Sequence, residues 1–249
     1  MSALKNWVKR QLLKRNMIIS QPPGQFNILG PKLKTLKSRG FDFKMAIDGG
    51  AANGGWAEEF KSVFPEAQIL CIEPRDDAQG DLAALAKTMP GIHIAKTLVG
   101  ESPGTVDFNR SSDQSSMLPL ASGASFGEVV REQVETLDRL ITNMELPPPD
   151  YIKLDLQGAE LLALRGAVKS LRSAVAVQLE VSFIALQTGV PPVAEDIAHM
   201  GVSGFRLADI FGLWTRPLDG AMAQGDFLFI RADHACWADA RWNAKGDFT

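Results

Sequence analysis

Short apolar runs that alternate with segments of helical spacing constrain this chain more than any other feature. The runs are Met45–Ile47, Gln68–Ile72, Ile92–Leu98, Tyr151–Leu156, Val175–Val181, Phe205–Ala208 and Asp226–Arg231. Between them, Trp56–Val63, Leu82–Ala86, Glu160–Leu171 and Ala194–Met200 read as helices. Glu128–Met144 is expected to be a further helix, because Val130, Val134, Leu137 and Ile141 recur at helical spacing. Strands that alternate with helices form a mostly parallel sheet covered on both faces. Thr105–Asn109 alternates weakly, as a hairpin or edge strand does, and six serines between 111 and 125 mark a loop. Pro147–Pro149 forbids helix and delivers an extended chain into the run at Tyr151. In such a sheet a ligand lies beyond the carboxyl ends of the strands, so the residues that end strands carry the chemistry.

Four runs end in, or just before, a carboxylate: Asp48, Glu73, Asp155 and Glu180. Asp48 opens the turn Asp48-Gly49-Gly50-Ala51-Ala52-Asn53-Gly54-Gly55, whose glycines allow a tight turn and a close approach of a ligand to the backbone. Asn53 suits a positive φ or a cap for the helix that begins near Trp56. Glu73 stands where a carboxylate accepts both hydroxyls of a ribose in nucleoside-binding folds. The glycines miss the Gly-x-Gly-x-x-Gly spacing that seats a pyrophosphate on a helix N-terminus, and the acid before them repels phosphate. A negative turn suits a cation. S-adenosylmethionine offers a sulfonium, an ammonium and a ribose without phosphate, which favours it over a nicotinamide dinucleotide.

The turn Ile47-Asp48-Gly49-Gly50-Ala51-Ala52, the triplets Ile72-Glu73-Pro74 and Thr136-Leu137-Asp138, and the stretch Tyr151–Leu161 followed by Leu164-Arg165-Gly166-Ala167 form a set. With the closing Gln178–Val181 and Asp226–Phe229, the set resembles the FkbM-type family of class I S-adenosylmethionine-dependent methyltransferases, over roughly residues 43 to 231. The family usually has Asp-Val-Glu-Gly where this chain has Asp155-Leu156-Gln157-Gly158, and often Ala-Asn where it has Ala51-Ala52. The resemblance implies an α/β fold, Rossmann-like and doubly wound, with a mostly parallel seven-stranded sheet and a last antiparallel strand. It implies donor contacts at Asp48, Gly50, Ala51, Asn53 and Gly54, with Glu73 on the ribose and Asp155 beside the transferable methyl. It also implies an acceptor hydroxyl on a small molecule, sugar, glycan or natural product, and it supplies no metal requirement.

Methyl transfer to oxygen needs an oriented hydroxyl and a group to receive its proton. His93 lies in a strand, His199 in a helix and His234 after the last strand, all reading as structural. Asp155, at the end of a central strand, is therefore the expected base. Lys153, two residues earlier, points to the same face and needs a neutralising carboxylate, for which Glu180 on the next strand is the first choice. Lys153 then either orients Asp155 and the acceptor or serves as a structural ion pair between strands. Glu160 suits the first turn of its helix as a cap. Two rivals stand beside this reading: an NAD(P)-dependent oxidoreductase on the same fold, and a domain that binds the donor without catalysis.

Charge divides the chain. Its net charge is −3, yet the first forty residues hold nine of the 26 Lys and Arg and none of the 29 Asp and Glu. The acidic remainder is a poor match for nucleic-acid phosphates. Leu4, Trp7, Val8 and Leu12 share one face of a short helix ringed by Lys5, Lys9 and Lys14, a pattern for weak contact with an anionic membrane surface or for packing on the domain. The expected organisation is a basic N-terminal extension over 1–40, a methyltransferase domain over 41–235 and a C-terminal tail over 236–249. Two cysteines exclude a disulfide framework and a cysteine-rich zinc site. No stretch approaches the ~18 apolar residues of a membrane span, and the first fifteen residues lack the apolar block of a secretory signal. A cytoplasmic protein is expected, peripheral at most on the inner membrane face.

Overall fold

The computed structural model describes residues 29–111, 115–123, 127–239 and 241. In chain order its elements are α1 (Leu29–Ser38), β1 (Met45–Gly49), α2 (Gly55–Val63), β2 (Gln68–Ile72), α3 (Asp76–Thr88), β3 (Ile92–Ala95), β4 (Leu98–Val99), β5 (Gly104–Arg110) and β6 (Glu128–Glu135). There follow α4 (Leu137–Asn143), β7 (Tyr151–Leu154), α5 (Glu160–Arg165), α6 (Val168–Ser173), β8 (Ala176–Ser182), α7 (Val193–Val202), β9 (Phe205–Thr215) and β10 (Met222–Arg231). Seven strands form one sheet in the order β3-β2-β1-β7-β8-β10-β9. The first five are parallel, and β10 runs antiparallel to both its neighbours, so the expected fold class holds.

The central strands are buried on both faces, which is why they read as continuous apolar runs. Met45, Ile47, Leu70, Ile152, Leu154 and Leu179 face one core. Ala46, Ile69, Tyr151, Ala176 and Leu228 face the other, where Phe43 and Phe60 pack edge-on against Tyr151 at 4.9 and 5.1 Å. Leu33 and Leu36 of α1 are buried in that second core, so the basic stretch before Gly40 is part of the body rather than an appendage. The stripe at Leu4–Leu12 lies outside the described residues.

Several local expectations are corrected. Glu128–Met144 is a strand, β6, followed by α4: Val130 and Val134, four apart, satisfy a period of two as well as a helical face, and the Thr136 side chain caps α4 by accepting from Arg139 N. Ile92–Leu98 divides, its last residue leaving the main sheet for a three-stranded sheet of order β4-β6-β5. The helix expected over Glu160–Leu171 breaks at Gly166, where a Cβ would stand 2.2 Å from the Gly100 carbonyl oxygen. β9 and β10 run longer than their apolar runs and pair across an irregular hairpin.

Candidate active site

A period of two sorts the strand-end acids into levels. Asp48 is paired with Cys71 of β2 and Lys153 of β7, and Lys153 with Gln178 of β8. Two residues further along stand Glu73, Gly50, Asp155 and Glu180, with Asp226 of β10 opposite Glu180. Asp48 is thus one pleat deeper than the other three acids, and it is wholly buried.

This depth changes what Asp48 does. Its Oδ1 lies 3.0 Å from Lys153 Nζ, and among the described residues neither Asp48 oxygen has a hydrogen bond of good geometry. Lys153 Nζ also donates to the Gly50 and Gly49 carbonyls at 2.9 and 3.3 Å, and stands 3.9 Å from Asp155 Oδ2. Burial works against the lysine charge, but Asp48 and then Asp155 hold its pKa above the ordinary value. Burial lifts the Asp48 carboxyl, and Lys153 opposes that rise. The expected Lys153–Glu180 pair does not form. Lys153 meets the acid at its own level, while Glu180, one level out, accepts from the Gln157 and Gln224 amides. The negative charge that faces outward therefore comes from Glu73 and Asp155 rather than from Asp48.

The glycine turn is folded back onto the sheet. Gly50 and Ala51 donate to the Ile72 carbonyl at 3.0 and 3.1 Å, and Gly50 (φ 72°) passes so close to the next loop that a Cβ would lie 1.9 Å from the Asp155 carbonyl oxygen. Ala52, rather than Asn53, takes a positive φ. Asn53 is exposed and its Oδ1 accepts from Gly55 N at 3.3 Å, a local cap. Glu73 Oε2 accepts from Ala52 N at 2.9 Å, and its Oε1 accepts from Arg75 N and Nε. Each carboxylate oxygen has two lone pairs, so Glu73 can fasten this turn and still accept from a ligand through Oε2.

Beyond these strand ends lies a crevice. Its floor includes Gly50, Ala52, Glu73, Arg75, Asp155 and Gln157, and its roof includes Leu98, Val99, Phe108, Ser115 and Met117 from the small sheet and the loop behind it. Of the residues singled out from the sequence, Gly50, Glu73 and Asp155 line it. Asp48, Lys153, Ala51 and Gly54 are buried behind it. Part of the serine loop is fixed in place, with Ser116 Oγ donating to the Gln157 carbonyl at 3.0 Å. The histidines lie elsewhere: His93 of β3 bonds Gln68 of β2, His199 sits in α7, and His234 stacks on Phe41 at 4.5 Å.

Glu160 is buried, and its Oε1 accepts from Leu156 N at 2.6 Å and Gly158 N at 3.3 Å, tying down the loop that carries Asp155. Burial raises its pKa from 4.5 to about 8. The group therefore keeps its proton in the fold and loses it readily in the unfolded chain. Its contribution to stability is complete below the unfolded value and is lost as pH rises toward 8. Glu160→Gln keeps the accepting oxygen and removes the titration, so calorimetry from pH 5 to 9 is expected to show a shallower fall in Tm than wild type. A slope as steep as that of wild type would contradict this account.

Sequence reasoning missed Gln157, Gln224 and Asp226 as members of the site. Asp226 has its pKa raised to about 7 by burial and then by Asp155. The signal that could have found them was a pair of polar residues at alternate positions in an otherwise apolar run. Nothing in the sequence pointed to Phe108 or Met117.

The methyltransferase FkbM domain matches residues 48–207 of the chain. Among curated proteins, none matches it. Solved structures similar to it include precorrin-6y C5,15-methyltransferase from Geobacter metallireducens, at 12% identity and TM-score 0.47, covering 82% of this chain and 86% of that one. The 1,6-didemethyltoxoflavin-N1-methyltransferase of Burkholderia thailandensis, with S-adenosylhomocysteine bound, is similar at 9% identity and TM-score 0.46, covering 92% and 85%. Aeropyrum pernix fibrillarin, with S-adenosyl-L-methionine bound, is similar at 12% identity and TM-score 0.43, covering 79% and 74%.

Proposed function

Because the chain belongs to the FkbM methyltransferase family, whose methyl donor is S-adenosyl-L-methionine, we propose that it methylates a hydroxyl of a sugar, glycan or natural product, with Asp155 as the base. The observation that carries the reading is the exposure of Asp155. It is an acid on the crevice wall at the end of a central strand with 35% of its side chain exposed, whereas Asp48 and Glu160 are buried. The crevice residues fit the donor chemically. Glu73 offers acceptor capacity for ribose hydroxyls, Leu98, Val99, Phe108 and Met117 offer apolar surface for a flat base, and Gly50 leaves backbone open to the methionine end.

When bound, the donor supplies an electrophilic methyl group on a positively charged sulfur. The chain supplies the rest. Asp155 receives the hydroxyl proton, Lys153 holds the glycine turn and the Asp155 loop together from below, and Glu180 backs Asp155 from the next strand. The roof from the small sheet limits the access of water to the floor. No helix among the described residues is long and apolar enough to cross a membrane. Placement in the cytoplasm, with weak contact of the basic head at the inner membrane face, belongs to the same reading and is supported by the pattern of Leu4–Lys14.

Isothermal titration tests the donor site. S-adenosylhomocysteine is expected to bind, NAD is not, and Glu73→Ala is expected to weaken binding by about tenfold or more as a charge-assisted contact and the fastening of the turn at Ala52 N are lost. Binding of NAD in preference to S-adenosylhomocysteine would overturn the reading. Radiolabelled methyl transfer into a cell extract, followed by identification of the product, tests the acceptor class.

A further inference from the structure

We propose that Gln157 is a positioning residue for this transfer: its single amide holds Asp155 and Glu180 as a pair and fixes Asp155 as the member that takes the proton. The inference rests on the reading of Asp155 as the base. Gln157 Nε2 lies 2.9 Å from Asp155 Oδ1 and 2.7 Å from Glu180 Oε2, so both amide hydrogens are directed at carboxyl oxygens. The amide cannot be turned the other way without setting its oxygen against two acceptors. Its Oε1 accepts from Gln224 Nε2 at 3.4 Å, and the same Gln224 nitrogen lies 2.8 Å from Glu180 Oε2.

The backbone supports the clamp. Gln157 has φ 52°, a left-handed conformation that a residue with a Cβ adopts at some strain, and it is held there by the Ser116 hydroxyl on its carbonyl. The residue is only 8% exposed.

The two acids are held differently. Asp155 has an amide hydrogen on Oδ1 and the Lys153 ammonium 3.9 Å from Oδ2. Glu180 accepts from two neutral amides, shares a side-chain hydrogen bond with Asp155 and stands among carboxyls: Asp155 on the neighbouring loop, Glu160 from α5 and Asp226 from β10, with Asp48 further back behind Lys153. Burial first, then those three carboxyls, push its pKa well up. The acceptor hydroxyl then gives its proton to Asp155, and Glu180 keeps the one it has. A glutamate at 157, as the family usually has, would set a third carboxyl into this pair. The glutamine supplies two donors and no charge.

Two measurements separate the clamp from its role in transfer. Q157E is expected to lose at least about 5 °C more of its Tm than wild type between pH 6 and 9, because its new carboxyl must be protonated to fit. Folding of Q157E at pH 5 but not at pH 8 supports the clamp equally, and parallel Tm curves would overturn it. In labelled-methyl transfer, Q157L is expected to lose about tenfold or more in rate, with S-adenosylhomocysteine affinity within about threefold of wild type and the acid limb of the pH profile displaced by roughly one unit. Q224L, which removes the support of the amide, is expected to show a smaller displacement in the same direction. An acid limb left in place in both variants overturns the positioning role. If wild type binds S-adenosylhomocysteine but transfers no methyl group, the function and this role in it fall together, while calorimetry separately decides the clamp.

Discussion

Asp155→Ala is expected to lower methyl transfer by roughly 10²–10⁴-fold, the usual contribution of a positioned general base, while S-adenosylhomocysteine binding stays close to wild type. The reason is geometric. The Asp155 side chain reaches the crevice from the loop after β7, whereas the turn that approaches the donor is held by backbone bonds to Ile72 and by Glu73 on Ala52 N. Removing the carboxylate removes a proton acceptor and leaves those bonds intact. Asp155→Asn is the sharper control, since its amide keeps the volume and cannot take the proton. Single-turnover rates with labelled donor, beside titration calorimetry with S-adenosylhomocysteine, separate the two effects. Wild-type turnover in either variant would move the base elsewhere.

Lys153→Met is expected to destabilise the fold by about 3–5 kcal/mol, the magnitude found when one partner of a buried ion pair is removed. Asp48 would be left charged, fully buried and without its ammonium 3.0 Å away. The glycine turn would also lose the bonds from Lys153 Nζ to the Gly49 and Gly50 carbonyls, so donor affinity is expected to fall with stability. Joining Asp48→Asn to Lys153→Met removes the stranded charge and is expected to recover much of the loss. Urea unfolding at pH 7 measures both. A single variant as stable as wild type would mean that the pair is not a structural tie.

The sheet was legible because its strands are buried on two sides and write themselves as unbroken apolar runs. The site was legible in kind, as acids at strand ends, but not in depth. Counting from each run places Asp48 beside Asp155, and only the register of β1 against β7 shows that Asp48 belongs with Lys153, a pleat below. The same register redirects Lys153 from Glu180 to Asp48. The β6 strand was hidden by an arithmetic ambiguity, since a spacing of four between Val130 and Val134 suits both periods. Gln157 drew notice as a departure from the family motif, yet its partners Gln224 and Glu180 lie on other strands and are joined to it only by folding.

The small sheet enters and leaves the body at one place. β4 and the end of β6 lie side by side, with Leu98 opposite Val134 and Val99 opposite Glu135, and among the described residues between them Ser116 Oγ and Ala121 N tie back to the body at the Gln157 and Leu186 carbonyls. A segment joined in that way cannot be lengthened or exchanged without reaching the loop beneath it, because one of its ties ends on Gln157. Under the proposed function, a change of acceptor written into this canopy is then felt by the floor through that tie.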